Sequence, residues 1–305
     1  MKKRVIIFGC QGIAVDCIDY LAKQGDVELC SVYTYDLPLD VTYGYESVQL
    51  KCKELAIECK KPRSINKKIV EDIYNLNPDF IFSFYYRKIF PKPLLKIPKS
   101  GCINIHPSLL PNYRGPVPTA WTIMNGETNT GVTIHYMDEG IDTGDILFQE
   151  KIKIHSDETG FELYKRCMKV GSKLFINNWN NIKNDDLNPI KQTGIGSYYG
   201  KLDGKHTINW QNRAEYIRNM IRIHAAPFNT AESMLFNHYF FINKASIHND
   251  PKYILQSPGK IVDIINGHPV VSCVDGFLKL DKFDIYPKLT TQEKTVYMRV
   301  GNKFE

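Results

Sequence analysis

GCINIHPSLLPNYRGPVPTAWTIMNGETNTGVTIHYMDEGIDTGD, residues 101–145, sets short apolar runs against turn-rich loops. Cys102 to His106 is a strand by its pattern, and residues two apart in a strand share a face. Asn104 and His106 therefore lie side by side where the strand ends at Pro107. A second strand, Val132 to Met137, runs into Asp138-Glu139-Gly140-Ile141-Asp142-Thr143-Gly144. An amide donor, a titratable ring and a carboxylate at strand ends are what acyl transfer needs. Each also has a plainer reading: Asn104 satisfying backbone groups, His106 as a satisfied core histidine, Asp142 as a turn residue. The combination carries more weight than any member.

Towards the N-terminus, Arg4 to Phe8 is a short apolar strand of the kind buried in parallel sheets, followed by Gly9-Cys10-Gln11-Gly12 and a helix to about Lys23. The glycine spacing is not a dinucleotide fingerprint, because the third glycine is absent. Strands at Val27 to Tyr33 and Asp79 to Phe84 alternate with helices over Glu46 to Cys59 and Ile65 to Leu76. Alternation of this kind predicts an α/β fold with a Rossmann-like, doubly wound, mostly parallel sheet. Ligands then bind at the carboxyl ends of strands, where the segments after Phe84, His106 and Met137 are all expected to fall. A strand from Ile146 to Ile154 and a helix to about Trp179, capped by Ser156 or Asp157, complete a domain over residues 1–190. Residues 191–305 hold an extended Gln192 to Asn209, a helix from Trp210 to Ile223 and short strands at Tyr239 to Ala245, Gly259 to Ile265, Pro269 to Val274 and Phe277 to Tyr286. They are expected to form a small β-rich domain, an OB-like β-barrel.

Composition and charge are those of a folded globular protein, and no run reaches the ~18 apolar residues of a membrane span. Eight cysteines show no C-x-x-C spacing, which points to reduced thiols and a cytoplasmic location. No metal site is expected, since neither H-x-H nor H-E-x-x-H occurs and His106 with His135 cannot supply three ligands. The net charge of +6 suits an anionic small molecule or a nucleic acid. In acyl transfer a fixed carboxamide such as that of Asn104 stabilises the oxyanion, His106 moves the proton, and Asp142 orients and charges the ring.

The strings Asn104-Ile105-His106-Pro107-Ser108-Leu109-Leu110-Pro111-Asn112-Tyr113-Arg114-Gly115, Gly131-Val132-Thr133 and Met137-Asp138-x-Gly140-x-Asp142-Thr143-Gly144 resemble the formyltransferases that use 10-formyltetrahydrofolate. The resemblance implies Asn104, His106 and Asp142 as catalytic residues. It places the folate against Arg87, Lys88, Ile89 and Phe90 and against Asp138, Glu139, Gly140 and Ile141. It offers Ser108, Tyr113, Arg114 and Gly115 to the acceptor. Glycinamide ribonucleotide enzymes are usually one domain, and the folate hydrolases carry an extra N-terminal domain; neither suits this chain.

Two acceptors remain. The resemblance to the domain acting on UDP-4-amino-4-deoxy-arabinose runs through Ile81-Phe82-Ser83-Phe84-Tyr85-Tyr86-Arg87 and Asn125-Gly126-Glu127-Thr128-x-Thr130-Gly131-Val132-Thr133, with Pro116 where that domain has an arginine. It favours a 4-amino-4-deoxy sugar linked to dTDP or UDP. A methionyl-tRNA enzyme would need a basic grip on a polyanion. Thr34 to Gly44 carries two acids and no Lys or Arg, and Lys201 to Glu305 holds 14 Lys/Arg against 10 Asp/Glu, a net of +4. The expected partners are therefore a nucleotide-linked amino sugar with no nucleic acid and no membrane, a homodimer being left open. Tyr113, Tyr198 and Tyr199 are candidates to stack on a base or pterin. A catalytically silent folate- or nucleotide-binding protein is the reading from another class.

Overall fold

The strand β1 (Lys3–Gly9) has Val5, Ile6, Ile7 and Phe8 wholly out of solvent, which requires sheet neighbours on both sides and cover on both faces. The computed structural model of the protein describes residues 2–35 and 44–305. Most of the acidic loop expected at Thr34 to Gly44 lies outside the described residues. In chain order β1 is followed by α1 (Gln11–Ala22), β2 (Val27–Tyr33), α2 (Val48–Glu54), β3 (Cys59–Lys60), α3 (Lys67–Asn75), β4 (Phe80–Phe84), α4 (Lys92–Leu95), β5 (Cys102–His106), α5 (Pro118–Met124), β6 (Asn129–Tyr136), β7 (Ile146–Lys153) and α6 (Gly160–Lys183). The seven strands form one sheet in the order β3-β2-β1-β4-β5-β6-β7. The first five are parallel; β6 is antiparallel to β5 and β7 antiparallel to β6.

Close approach of α1 to β1 explains Gly9, where a Cβ would meet that of Ala14 at 2.6 Å. On the sheet, Phe80, Phe82 and Phe84 stack along β4 with centroids 5.5 and 5.7 Å apart. Phe175 and Trp179 of α6 meet that ladder edge-on. Such pairs add about 0.5–1.5 kcal/mol each beyond the area they bury.

The chain divides into two compact units, the first being residues 1–118, 129–153 and 164–201, the second 119–128, 154–163 and 202–305. Most of the second unit is α7 (Ala214–His224), β8 (Ala231–Leu235), β9 (His238–Ile247), β10 (Ile261–Ile265), β11 (His268–Ser272), β12 (Phe277–Tyr286) and α8 (Thr291–Tyr297). Its strands make an antiparallel sheet in the order β10-β11-β12-β9-β8. Trp210 packs on Phe304, and its indole N–H donates to Ser233 Oγ at 2.9 Å.

Several expectations need correcting. The helix expected over Glu46 to Cys59 is shorter, because Ser47 Oγ caps its start and Ala56, at φ 54, follows its end. Cys59 belongs to the edge strand β3. The long helix is not capped by Ser156 or Asp157: Thr159 Oγ1 accepts from Glu162 N at 3.2 Å, and Glu162 Oε2 accepts from Thr159 N at 2.9 Å. Trp210 precedes α7, whose first N–H, on Ala214, is taken by Asp275 Oδ1 at 2.8 Å. The carboxyl end of β6 does not join those of β4 and β5. Tyr136 pairs with Ile103, at the amino end of β5, while His106 pairs with Thr133. The loop after Met137 therefore starts at the far end of the strands and folds back along the sheet to reach His106.

Candidate active site

Antiparallel pairing puts Asn104 opposite His135 and His106 opposite Thr133, with all four side chains on one face. Thr133 pins the turn beyond β5, its hydroxyl donating to Ser108 O at 2.6 Å and accepting from Leu110 N and Gln149 Nε2. Gly144 lets the returning loop lie against its own hairpin, since a Cβ there would collide with Tyr136 O. Asp138 tightens the same loop by accepting from Gly140 N at 3.0 Å and Thr143 Oγ1 at 2.6 Å. Asp142 is delivered in the left-handed region, φ 55, to the face that holds the two histidines.

Of the three residues expected together, His106 and Asp142 meet directly, and Asn104 joins them on the same face through His135. His106 Nδ1 lies 3.5 Å from Asp142 Oδ2, and its Nε2 is 2.8 Å from Tyr113 O. A carbonyl only accepts, so Nε2 carries a hydrogen. The imidazolium form thus has an acceptor facing each nitrogen. The 3.5 Å separation is longer than the ~2.7–2.9 Å of a charge-assisted bond. The Asp142 carboxylate is itself anchored, Oδ2 accepting from Gly115 N at 2.9 Å. Gly115 sits at φ 96, and a Cβ there would meet the backbone of Tyr199 and the ring of Tyr198.

His135 was anticipated only as an insufficient metal ligand, and the structure makes it the fourth member of the group. Its Nδ1 is 2.7 Å from Tyr136 O and so bears the hydrogen; the Nε2 lone pair accepts from Asn104 Nδ2 at 3.1 Å. Burial pulls its pKa down to about 4; His106 adds to the fall, and Asp142 opposes it. The 3.7 Å approach of His135 Nε2 to Asp142 Oδ1 could suggest an ion pair. The pull of burial and the hydrogen-bond partners favour a neutral ring instead. One N–H of the Asn104 carboxamide is thereby fixed on His135. The alternation Val132-Thr133-Ile134-His135 was the sequence signal: two polar residues on one face of a buried strand.

The other expected residues are placed as follows. Arg87 N donates to Tyr35 Oη at 3.0 Å. Lys88 is spent on Pro62 O and Arg63 O at 2.6 and 2.8 Å, over the rings of Tyr35 and Tyr86. Ile89 is exposed, whereas Phe90 is buried against Phe8, so it offers a ligand backbone only. Glu139 forms an exposed ion pair with Lys92, and Ile141 is exposed. Ser108 is fully buried with its hydroxyl on Asn112 O, which leaves it nothing to offer an acceptor in this arrangement. Tyr113 and Tyr199 stack on one another, centroids 5.1 Å apart and planes 12° apart, and Tyr198 is exposed. Among the described residues no group of three or more His, Cys, Asp or Glu is placed to hold a metal ion.

Residues 3–178 match the family model described as formyl transferase, and residues 203–292 match the model of its C-terminal domain. The chain belongs to the formyl transferase family. A methionyl-tRNA formyltransferase of Alkaliphilus oremlandii is 33% identical over 291 residues, 93% of each chain. The bifunctional polymyxin resistance protein ArnA of Wigglesworthia glossinidia brevipalpis is 36% identical over 274 residues, 88% of this formyl transferase and 41% of that protein. An N-formyltransferase of Helicobacter canadensis, solved with folinic acid and dTDP-3-aminofucose, superposes with a TM-score of 0.74 at 26% identity, covering 93% of this chain and all of that one.

Proposed function

We propose that this formyl transferase moves a formyl group from 10-formyltetrahydrofolate to the amine of a nucleotide-linked amino sugar, a 4-amino-4-deoxy sugar on dTDP or UDP being the first to test. The observation that carries the reading is the convergence of the Asn104 carboxamide, the His106 ring and the Asp142 carboxylate on one face, at the distances given above. The carboxamide N–H of this set suits a carbonyl that gains negative charge. The folate supplies the formyl group, and Arg87 to Phe90 with Asp138 to Ile141 would hold it. Asn104 has one N–H on His135; its second N–H is the donor for the formyl oxygen as charge develops there. A bond forms from the acceptor nitrogen to the formyl carbon, and the bond from that carbon to the folate nitrogen breaks. With its Nε2 hydrogen on Tyr113 O, His106 has Nδ1, beside Asp142, to take the proton the attacking amine sheds and to return one to the departing nitrogen.

The nucleotide-sugar acceptor is supported by the Helicobacter canadensis enzyme, solved with a dTDP-linked amino sugar and matched over its whole length. A second reading, methionyl-tRNA as acceptor, is favoured by the 33% identity over 93% of the Alkaliphilus oremlandii enzyme. The modest net charge of +4 over Lys201 to Glu305 tells against it. A panel decides: dTDP- and UDP-linked 3- and 4-amino sugars and charged initiator tRNA, each with 10-formyltetrahydrofolate, followed by folate absorbance. Turnover with a nucleotide sugar is expected. Turnover with tRNA alone would replace the acceptor, and binding without turnover of any acceptor would point to a silent folate- or nucleotide-binding protein.

A further inference from the structure

We infer that Gln192 is a positioning residue of this site, one that sets the distance between Asp142 and His106 by holding the backbone of the loop that carries Asp142. The inference rests on the formyl-transfer reading for its kinetic consequence but not for its geometry.

The carboxamide of Gln192 is fully used. Its Nε2 donates to Asp142 O at 2.8 Å and to Gly144 O at 2.7 Å. Its Oε1 accepts from Arg114 Nε at 3.1 Å and from Arg114 Nη2 at 2.6 Å. Arg114 lies between the two residues that complete the His106 environment: Tyr113, whose carbonyl meets Nε2, and Gly115, whose N–H holds Asp142 Oδ2. One side chain thus ties the loop that brings the carboxylate to the turn that receives it.

The loop needs such a tie. Between β6 and β7 it folds back along the sheet, and Asp142 adopts a left-handed backbone, uncommon for non-glycine residues and tolerated best by Asn and Asp. Asp138 organises residues 138–143 but reaches neither the 142 carbonyl nor the 144 carbonyl. The segment carrying Gln192 is held without it. Ile190 exchanges two 2.8 Å hydrogen bonds with Ile146. Further along, Ser197 O accepts from Arg114 N, Ser197 Oγ accepts from Tyr113 N, and Tyr199 N donates to Arg114 O. Replacing Gln192 should therefore leave the segment docked and free only the 142–144 loop.

The test uses Gln192→Met, which keeps length and loses all four bonds, and Gln192→Glu, which keeps an acceptor for Arg114 but turns a carboxylate on two carbonyls. Amide exchange of Gly115 is read by NMR in the resting protein, beside the amides of Ile103 and Ile105 in β5. Rates follow for the acceptor found in the panel. Gly115 exchange should accelerate in both variants while the β5 amides hold, and kcat should fall ~10–100-fold with KM within about twofold, as a small misplacement of a reacting group does. Unchanged Gly115 exchange overturns the proposal whatever the activity. Equal acceleration at Gly115 and in β5 also overturns it, since that marks a general structural strut. Should wild type turn over no acceptor, the formyl-transfer reading falls, and the Gly115 exchange still decides the role of Gln192.

Discussion

His106 and His135 stand on neighbouring strands, share a face and have ring centroids 6.4 Å apart, yet their surroundings give them different work. At the end of β5, His106 has a carbonyl at one nitrogen and a carboxylate near the other, so both nitrogens can carry hydrogen. Further along β6, His135 is buried, donates to a backbone carbonyl and accepts from Asn104, so it stays neutral. In the proposed reaction the first moves protons, while the second holds an amide still. Residue type alone does not separate them; the atoms at Nδ1 and Nε2 do.

The largest way to break this contrast is His106→Ala. It should lower kcat by ~10²–10⁴-fold, the span of a lost general acid-base group, with little change in thermal stability. Asn104→Ala should follow at ~10²–10³-fold in kcat, the usual cost of one lost oxyanion donor. Loss in KM alone for Asn104→Ala would show that the amide only binds. The smallest effect concerns stability. Burial depresses the folded-state pKa of His135 to about 4, below its ordinary value, so the unfolded chain takes up a proton first as pH falls. His135 thus costs no stability above pH ~6.5, and the native state loses up to about 3 kcal/mol as pH drops from ~6.5 to 4. Denaturant melts of wild type and His135→Gln over that range should diverge, the variant being less acid-sensitive. Parallel curves would mean His135 is already charged or solvated in the native state.

The same contrast shows what could be read from the chain. Asn104 and His106 are two residues apart in one strand, so a local rule put them on one face. Asp142 came with the surrounding motif, and the alternating sheet with the spacing of apolar runs. The antiparallel direction of β6 was not legible, because a buried strand has the same apolar run in either direction. That one fact determines that His135 faces Asn104 and that the Asp142 loop must double back. Gln192 gave no signal: it lies 50 residues beyond Asp142, in a polar stretch with no periodicity. Helix ends are not legible where the cap comes from a side chain outside the apolar pattern, as with Thr159 and Asp275.

The most direct measurement is single-turnover formyl transfer, on the acceptor selected by the panel, with His106→Ala and His135→Gln side by side. A loss of ~10² or more is expected for His106→Ala and less than about tenfold for His135→Gln, whose amide can still accept from Asn104. A wild-type rate in His106→Ala, with the loss appearing in His135→Gln, would contradict it.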